Sequence, residues 1–439
     1  MFGLFDRSDA PPAEKSGKAP SVFAALDIGA TKIACFIVKT EQTVVGPRPR
    51  VIGVAHQPSR GIRAGKVTDM DAASRAVKGA IEHAERMAKT ALTEVILVTT
   101  AGAPASSRVQ IEAPLSQARE VSDRDLRRAL SAGLQEFFQP GRVMLHAIPV
   151  SWRVDDHRGV KDPRGMYGRE LGLDLHVITA AADPLRNLAT CIERCHIGVA
   201  GVVATPYASG LAVLTPDEMS LGALVVDMGA NATSVGVFSE DGLVHVDSLP
   251  LGGAHVTTDI ARGLSTPPGA AERIKALYGC ALDSPDDDRV MIEAPPVAGE
   301  TGATMSQHPR AMLNSIIRPR LEEIFELARD RLRAADMDAV SGRRMVLTGG
   351  ACQLPGTAEL ASRVFGKQAR LGRPETLNGL GDLVSGPAFS ACAGAILRES
   401  QGAAEAINGA PSFAAAPGLP HAGGERGPRA VLRWFAESF

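Results

Sequence analysis

Asp27 and Asp227 head two segments that echo each other across the chain, Asp27-Ile28-Gly29-Ala30-Thr31 and Asp227-Met228-Gly229-Ala230-Asn231. A carboxylate at a strand end can hold Mg²⁺, most readily through the ion's waters, because Mg²⁺ dehydrates reluctantly. After Asp27, Thr31 and Lys32 add a hydroxyl, an amide and a cation suited to the β- and γ-phosphates of a nucleotide. Gly29, Ala30, Gly229, Ala230, Asn231, Ala232 and Thr233 complete the two turns. Glycine allows close backbone approach and positive φ, and successive turn amides form a concavity that receives an anion. A third element, Thr348-Gly349-Gly350-Ala351, ends in two glycines against which a nucleoside can lie. Taken alone, each hairpin reads equally as a turn that needs glycine. Three such elements in this order point to a nucleotide held between two related domains.

These residues must be positioned by strands. Val22–Leu26 and Ala223–Val226 are apolar β-type runs that lead into the turns, and Ile33–Val38 and Val235–Phe238 lead out. Asp71–Ala91 has apolar residues at helical spacing, and Val95–Thr99 reads as a strand. Residues 104–176 change character and read as a small α+β insertion. It has strands at Val109–Ile111 and Val143–Val154, a helix over Ser122–Phe138 capped by Ser122, and a long loop over Gly159–Gly172. Pro206-Tyr207-Ala208-Ser209-Gly210 opens a helix, Met312–Ala335 is a longer one, and Pro387–Leu397 closes the folded body.

The chain has 439 residues, 45% hydrophobic but only 4% aromatic, which suits aliphatic α/β cores. That length corresponds to roughly two to four domains. A formal net charge of −2 leaves no footprint for nucleic-acid binding. Cys191, Cys195 and His196 have no matching Cys/His pair, so the cysteines read as buried thiols in a reducing compartment. Neither a secretion signal nor an apolar run of about eighteen residues appears, so the chain is expected to be cytosolic and not to span a bilayer.

The hairpins resemble those of the actin/Hsp70/sugar-kinase superfamily. Further segments are similar to the FtsA family of bacterial cell-division actin homologues, over about residues 21–398 and the C-terminal tip. They include Leu26-Asp27-Ile28-Gly29, His146-Ala147-Ile148-Pro149, Asp162-Pro163-Arg164-Gly165-Met166 and His176-Val177-Ile178-Thr179. Later come Ala212-Val213-Leu214-Thr215, Leu251-Gly252-Gly253, Ile316-Ile317-Arg318-Pro319-Arg320 and Leu354-Pro355-Gly356.

The resemblance implies ATP with Mg²⁺ and an α/β, two-lobed actin-like ATPase fold of duplicated RNase H-like domains. The insertion 104–176 interrupts lobe one, formed by residues 21–103 and 177–215. Lobe two takes 216–262 and 341–398, with an outer subdomain at 263–340. Residues 1–20 are expected to be disordered, 399–425 a flexible linker and 426–439 an amphipathic helix. By the same resemblance, Glu272 and Lys275 face the adenosine, and the outer subdomain captures the C-terminal tail of FtsZ, where Arg320 and Glu323 align. Read from the residues, that helix turns Ile316, Ile317, Leu321, Ile324, Phe325 and Leu327 inward, and Arg320 with Glu323 is equally an exposed i,i+3 ion pair.

Departures from the superfamily pattern bear on catalysis. Alanines at 230 and 232 stand where many members have glycine and a hydroxyl, and Thr205 stands where several place a Glu before the proline. Poor water positioning removes a factor of about 10²–10⁴ in rate, so weak or absent ATPase activity is expected.

The tip is the second chemical signal. On a helix, Val431, Leu432, Trp434, Phe435 and Phe439 share one face, with Arg429, Arg433 and Glu437 opposite. As a helix, Arg429–Phe439 spans about 16 Å, too short to cross a bilayer of ~30 Å, and the pattern fits a helix lying in an anionic membrane surface. Docking on the protein's own body or in a partner groove is the alternative. FtsA proteins end in such an anchor, which implies a peripheral protein on the cytoplasmic side of the inner membrane at the division site. It would self-associate, tether FtsZ filaments and recruit other divisome proteins. A scaffold of a pilus or secretion machine, or a sugar kinase, are the competing readings.

Overall fold

The computed structural model describes residues 22–401 except 44–45, 64, 137–138, 241, 298–303, 375–376, 378, 380 and 382–383. The expectations for residues 1–20, for the linker beyond Gln401 and for the tip 426–439 therefore lie outside the described residues.

Lobe one begins with β1 (Val22–Ile28), an apolar run of the kind that forms strands covered on both faces. It turns back into β2 (Lys32–Thr43), which pairs in turn with β3 (Gly46–Pro58). A ribbon of β4 (Ile62–Arg63) and β5 (Lys66–Val67) leads to α1 (Met70–Ala88). Asp69 caps α1 by accepting from the amides of Asp71 and Ala72, and the helical stripe from Ala73 to Ala84 is buried. β6 (Glu94–Thr99) then lies parallel to β1.

The insertion follows: β7 (Ala105–Glu120), α2 (Asp123–Glu136), β8 (Arg142–Val154), β9 (His157–Val160) and β10 (Tyr167–Ala181). Its sheet has the order β7-β10-β8-β9 and its own core, including Leu126, Leu130, Trp152, Leu171, Leu173 and Leu175. The long loop expected over Gly159–Gly172 is a correction: β9 and β10 claim both of its ends. Pairing to β8 and β7 satisfies the backbone there, and the alternating Leu171, Leu173 and Leu175 outweigh the glycines and charges around them. The cap of α2 also differs. The Ser122 hydroxyl donates to the Asp125 carboxylate, which also accepts the Ser122 amide and a two-pronged Arg119.

The chain returns through α3 (Ala182–Glu193), β11 (Gly198–Ala204), α4 (Thr205–Val213) and α5 (Pro216–Leu221), completing a sheet of order β11-β6-β1-β2-β3. Lobe two repeats the plan. β12 (Ala223–Met228), β13 (Thr233–Ser239) and β14 (Gly242–Leu249) form the meander. α6 (Gly253–Gly263) closes that part of the lobe, and the outer subdomain follows with α7 (Pro268–Tyr278), β15 (Met291–Ala294), β16 (Ser306–Pro309) and α8 (Arg310–Ala334). β17 (Arg344–Thr348), α9 (Thr357–Phe365), β18 (Gln368–Leu371) and α10 (Ser390–Gln401) finish it, giving the order β14-β13-β12-β17-β18. The two sheets have the same topology, so the lobes are a structural duplication.

Two details differ from expectation in this half. In α8, Leu327 is 39% exposed rather than inward, because Ile324, Phe325 and Ala328 already fill the buried stripe. The closing helix α10, expected with lobe two, packs on β1, β2, β3 and β6 of lobe one and crosses α4, and it runs past Leu397 to Gln401. Gly394 permits that crossing, since any Cβ there would overlap the Ala208 carbonyl. One apolar core thus joins the first sheet, both crossing helices and one face of the second sheet. The other face of the second sheet, lined by Leu224, Val226 and Met228, packs on the outer subdomain.

Candidate functional site

The two hairpins have congruent turns. The Gly29 amide donates to the Lys32 carbonyl at 2.9 Å, and the Gly229 amide to the Ala232 carbonyl at 2.9 Å. A Cβ would stand 2.9 Å from that carbonyl at Gly29 and 3.0 Å at Gly229, tight enough that both turns favour glycine. Asp27 lies opposite Ala34 and beside Val98, and Asp227 opposite Ser234 and beside Thr348. Equivalent register places both carboxylates at strand ends on either side of one cleft, where ligands gather in open α/β sheets.

Most of the residues singled out in the sequence line that cleft: Asp27, Gly29, Ala30, Thr31 and Lys32 from the first hairpin, Asp227, Gly229, Ala230, Asn231 and Ala232 from the second, and Gly349 with Gly350. Gly349 has φ +86°, and a Cβ there would press to 2.5 Å from Asp227 Oδ1, so both conformation and space demand glycine. Gly350 is different: its Cβ would meet only Ala388, at 3.9 Å, so the fold leaves room there.

Four candidates stand behind the lining. Thr233 is buried and donates to the Leu251 carbonyl, and Ala351 begins a short 3₁₀ turn that Gly253 packs against. Lys275 donates to the Gly253 carbonyl at 3.1 Å, to Thr257 and to Glu272. That network braces the start of α6, whose Gly253 and Ala254 amides donate to the carbonyls of Gly229 and Ala230. Arg320 and Glu323 lie elsewhere, on α8. The i,i+3 pair is formed, but Arg320 also grips Asp259 of α6 at 2.6 and 3.3 Å, a partner the sequence did not suggest.

Burial governs the electrostatics. Desolvation pushes Asp27 up to about 6, with Lys32 pulling the other way. Desolvation also pushes Asp227 up to about 6, opposed by a hydrogen bond from Ser209 and reinforced by the charge of Asp27. Lys32 is lowered by burial and held up chiefly by Asp27. Its ammonium donates to the Ala388 carbonyl and sits 3.6 Å from the centroid of the Phe389 ring. Two desolvated carboxylates beside one lysine are a hard-oxygen donor set short of positive charge, which fits Mg²⁺.

Sequence reasoning missed several lining residues: Gly65, Thr100, Pro387, Ala388 and Ala391. It also missed the partner that holds Asp227, Ser209. Pro206, at the start of the helix that follows β11, and Pro387, which opens the 3₁₀ turn before α10, were the available signal.

A duplicated sheet plan around this cleft, with crossing helices and an inserted subdomain, defines an actin-like ATPase fold. The chain of the PilM-PilN type IV pilus biogenesis complex matches with TM-score 0.60 at 19% identity, over 86% of this chain and 98% of that one. MreB5 of Spiroplasma citri, in a structure bound to ADP, matches with TM-score 0.52 at 13% identity, over 88% and 98%. At the sequence level, the model for cell division protein FtsA matches residues 224–394, and that for the SHS2 domain inserted in FtsA matches 102–179. The cell division protein FtsA of Agrobacterium fabrum is 41% identical over 389 residues, 87% of this chain and 88% of that protein. The chain belongs to the FtsA family of cell division proteins. Among the described residues, no helix is long and apolar enough to cross a membrane.

Proposed function

We propose that the chain binds ATP with Mg²⁺ between its lobes and uses it as a ligand that sets their arrangement. In that state it self-associates and tethers FtsZ filaments to the cytoplasmic face of the inner membrane, where later divisome proteins are recruited. The observation that carries the nucleotide reading is the pair of congruent hairpins presenting Asp27 and Asp227 across one cleft with Gly349 and Gly350 beside them. Asp27 would hold the Mg²⁺ through its waters, and the ion would supply the charge that the buried carboxylates and the phosphates need. Thr31 and Asn231 bring polar groups from the two turns, and Gly350 leaves space for the nucleoside. Glu272 and Lys275, one layer behind the second hairpin, are assigned to the adenosine end.

Slow or absent hydrolysis follows from Thr205, which lines the cleft without a carboxylate to orient water. Attachment is assigned to the tip, with Arg429 and Arg433 facing anionic headgroups, and a row of subunits multiplies a weak anchor by avidity. Arg320 and Glu323 are assigned to the FtsZ tail, which must compete with Asp259 for the guanidinium. Co-sedimentation of the full chain with FtsZ and anionic vesicles, with and without Mg-ATP, tests the whole reading. Deletion of residues 426–439 should abolish vesicle pelleting, and persistence of pelleting would refute the anchor.

A further inference from the structure

α4 belongs to lobe one by its place after β11, yet its Ser209 hydroxyl donates to Oδ2 of Asp227 on the lobe-two hairpin. Ser209 is fully buried, and its place is set from two sides. A Cβ at the neighbouring Gly210 would overlap the Phe238 ring, and a Cβ at Gly394 of α10 would overlap the carbonyl of Ala208. Neither crossing helix can slide without collision, so the hydroxyl is delivered to one position, as close-packed interiors require. On the other flank, the backbone of Gly349 closes against Oδ1. Asp227 is therefore confined at both oxygens, whereas the compensating group of Asp27 is the charge of Lys32. A serine inside a helix commonly turns back to its own backbone; this one spends its proton on a carboxylate of the other lobe.

We propose that Ser209 is the positioning residue of the second hairpin. By bonding one oxygen of Asp227 across the lobe boundary, it aims that carboxylate at the divalent cation of a bound nucleotide. It also makes occupancy of the cleft sensitive to the packing of α4 on α10. This rests on the nucleotide reading above. The competing role is purely internal, a buried hydroxyl satisfying a buried acid.

A double-mutant cycle with the full chain separates the two. Affinity for a fluorescent ATP analogue is titrated with Mg²⁺ and with EDTA, for wild type, Ser209→Ala, Asp227→Asn and the double variant. The expected result is a loss of about tenfold in Mg-dependent affinity for Ser209→Ala, the size of one charge-assisted hydrogen bond. EDTA affinity should stay within about twofold, and the Asp227→Asn background should show no further loss. An equal loss in EDTA, or the same loss in the Asp227→Asn background, marks a structural role and overturns the proposal. No loss at all overturns it too. If wild type binds the analogue in neither condition, the nucleotide reading itself falls, a result distinguishable from the others.

Discussion

Replacing Asp227 by Asn should make the nucleotide-free protein more stable while weakening its hold on Mg-ATP. Burial raises the Asp227 carboxyl from 3.8 to about 6. Each pK unit is worth about 1.4 kcal/mol, so the ionised form costs roughly 3 kcal/mol in the folded state. The folded protein binds this proton more tightly than the unfolded chain does, so stability falls as pH rises from about 4 to about 6 and is level above. At pH 8 the full cost is present, and below pH 4 it vanishes. Asn carries no charge at any pH, and its side-chain oxygen still accepts from Ser209. Asp227→Asn should therefore exceed wild type by up to ~3 kcal/mol at pH 8 and match it near pH 4. With an unfolding entropy of about 2.1 cal/mol/K per residue over the about 380 residues that the shared core ties together, that is roughly 4 °C. The assay is thermal unfolding at several pH values, with and without Mg-ATP, which stabilises only the form that binds it. A variant no more stable than wild type at pH 8, or a difference that does not change with pH, would refute the reasoning.

Gly350→Val should leave the melting temperature near wild type, because the site is open and not at positive φ, yet lower ATP affinity by at least tenfold; unchanged binding would remove Gly350 from the nucleoside site. Gly394→Ala should destabilise by more than about 3 kcal/mol, since its Cβ overlaps the Ala208 carbonyl where the helices cross, and urea unfolding reads this directly. Arg320→Ala should cost about 1–3 kcal/mol, because it strips a two-pronged, mostly buried partner from Asp259. The same variant should weaken binding of an FtsZ tail peptide severalfold in fluorescence anisotropy; retained affinity would leave only the ion pair.

The lobes and the main cleft elements were legible because β1 and β12 are apolar runs ended by Asp-x-Gly turns, and local patterns of that kind survive in one dimension. The insertion was legible as a change of character, but not its extent: the Gly/Pro and charge signal over 159–172 hid strands whose stability comes from β8 and β7. Leu327 was misplaced because helical spacing alone allows a wider stripe than α8 buries.

The order and chemistry of the site, two carboxylate hairpins and a Gly-Gly strand end, were determined by the sequence itself, since turn conformation and strand burial depend on neighbouring residues. Which residues complete it was decided only in three dimensions. Ser209 lies 18 residues from Asp227, and Ala388 lies 356 from Lys32. Both reach the cleft because α4 and α10 cross where Gly394 lets their backbones touch. Contacts between distant segments carry no periodic trace along the chain; they exist only once two sheets and two helices share a core.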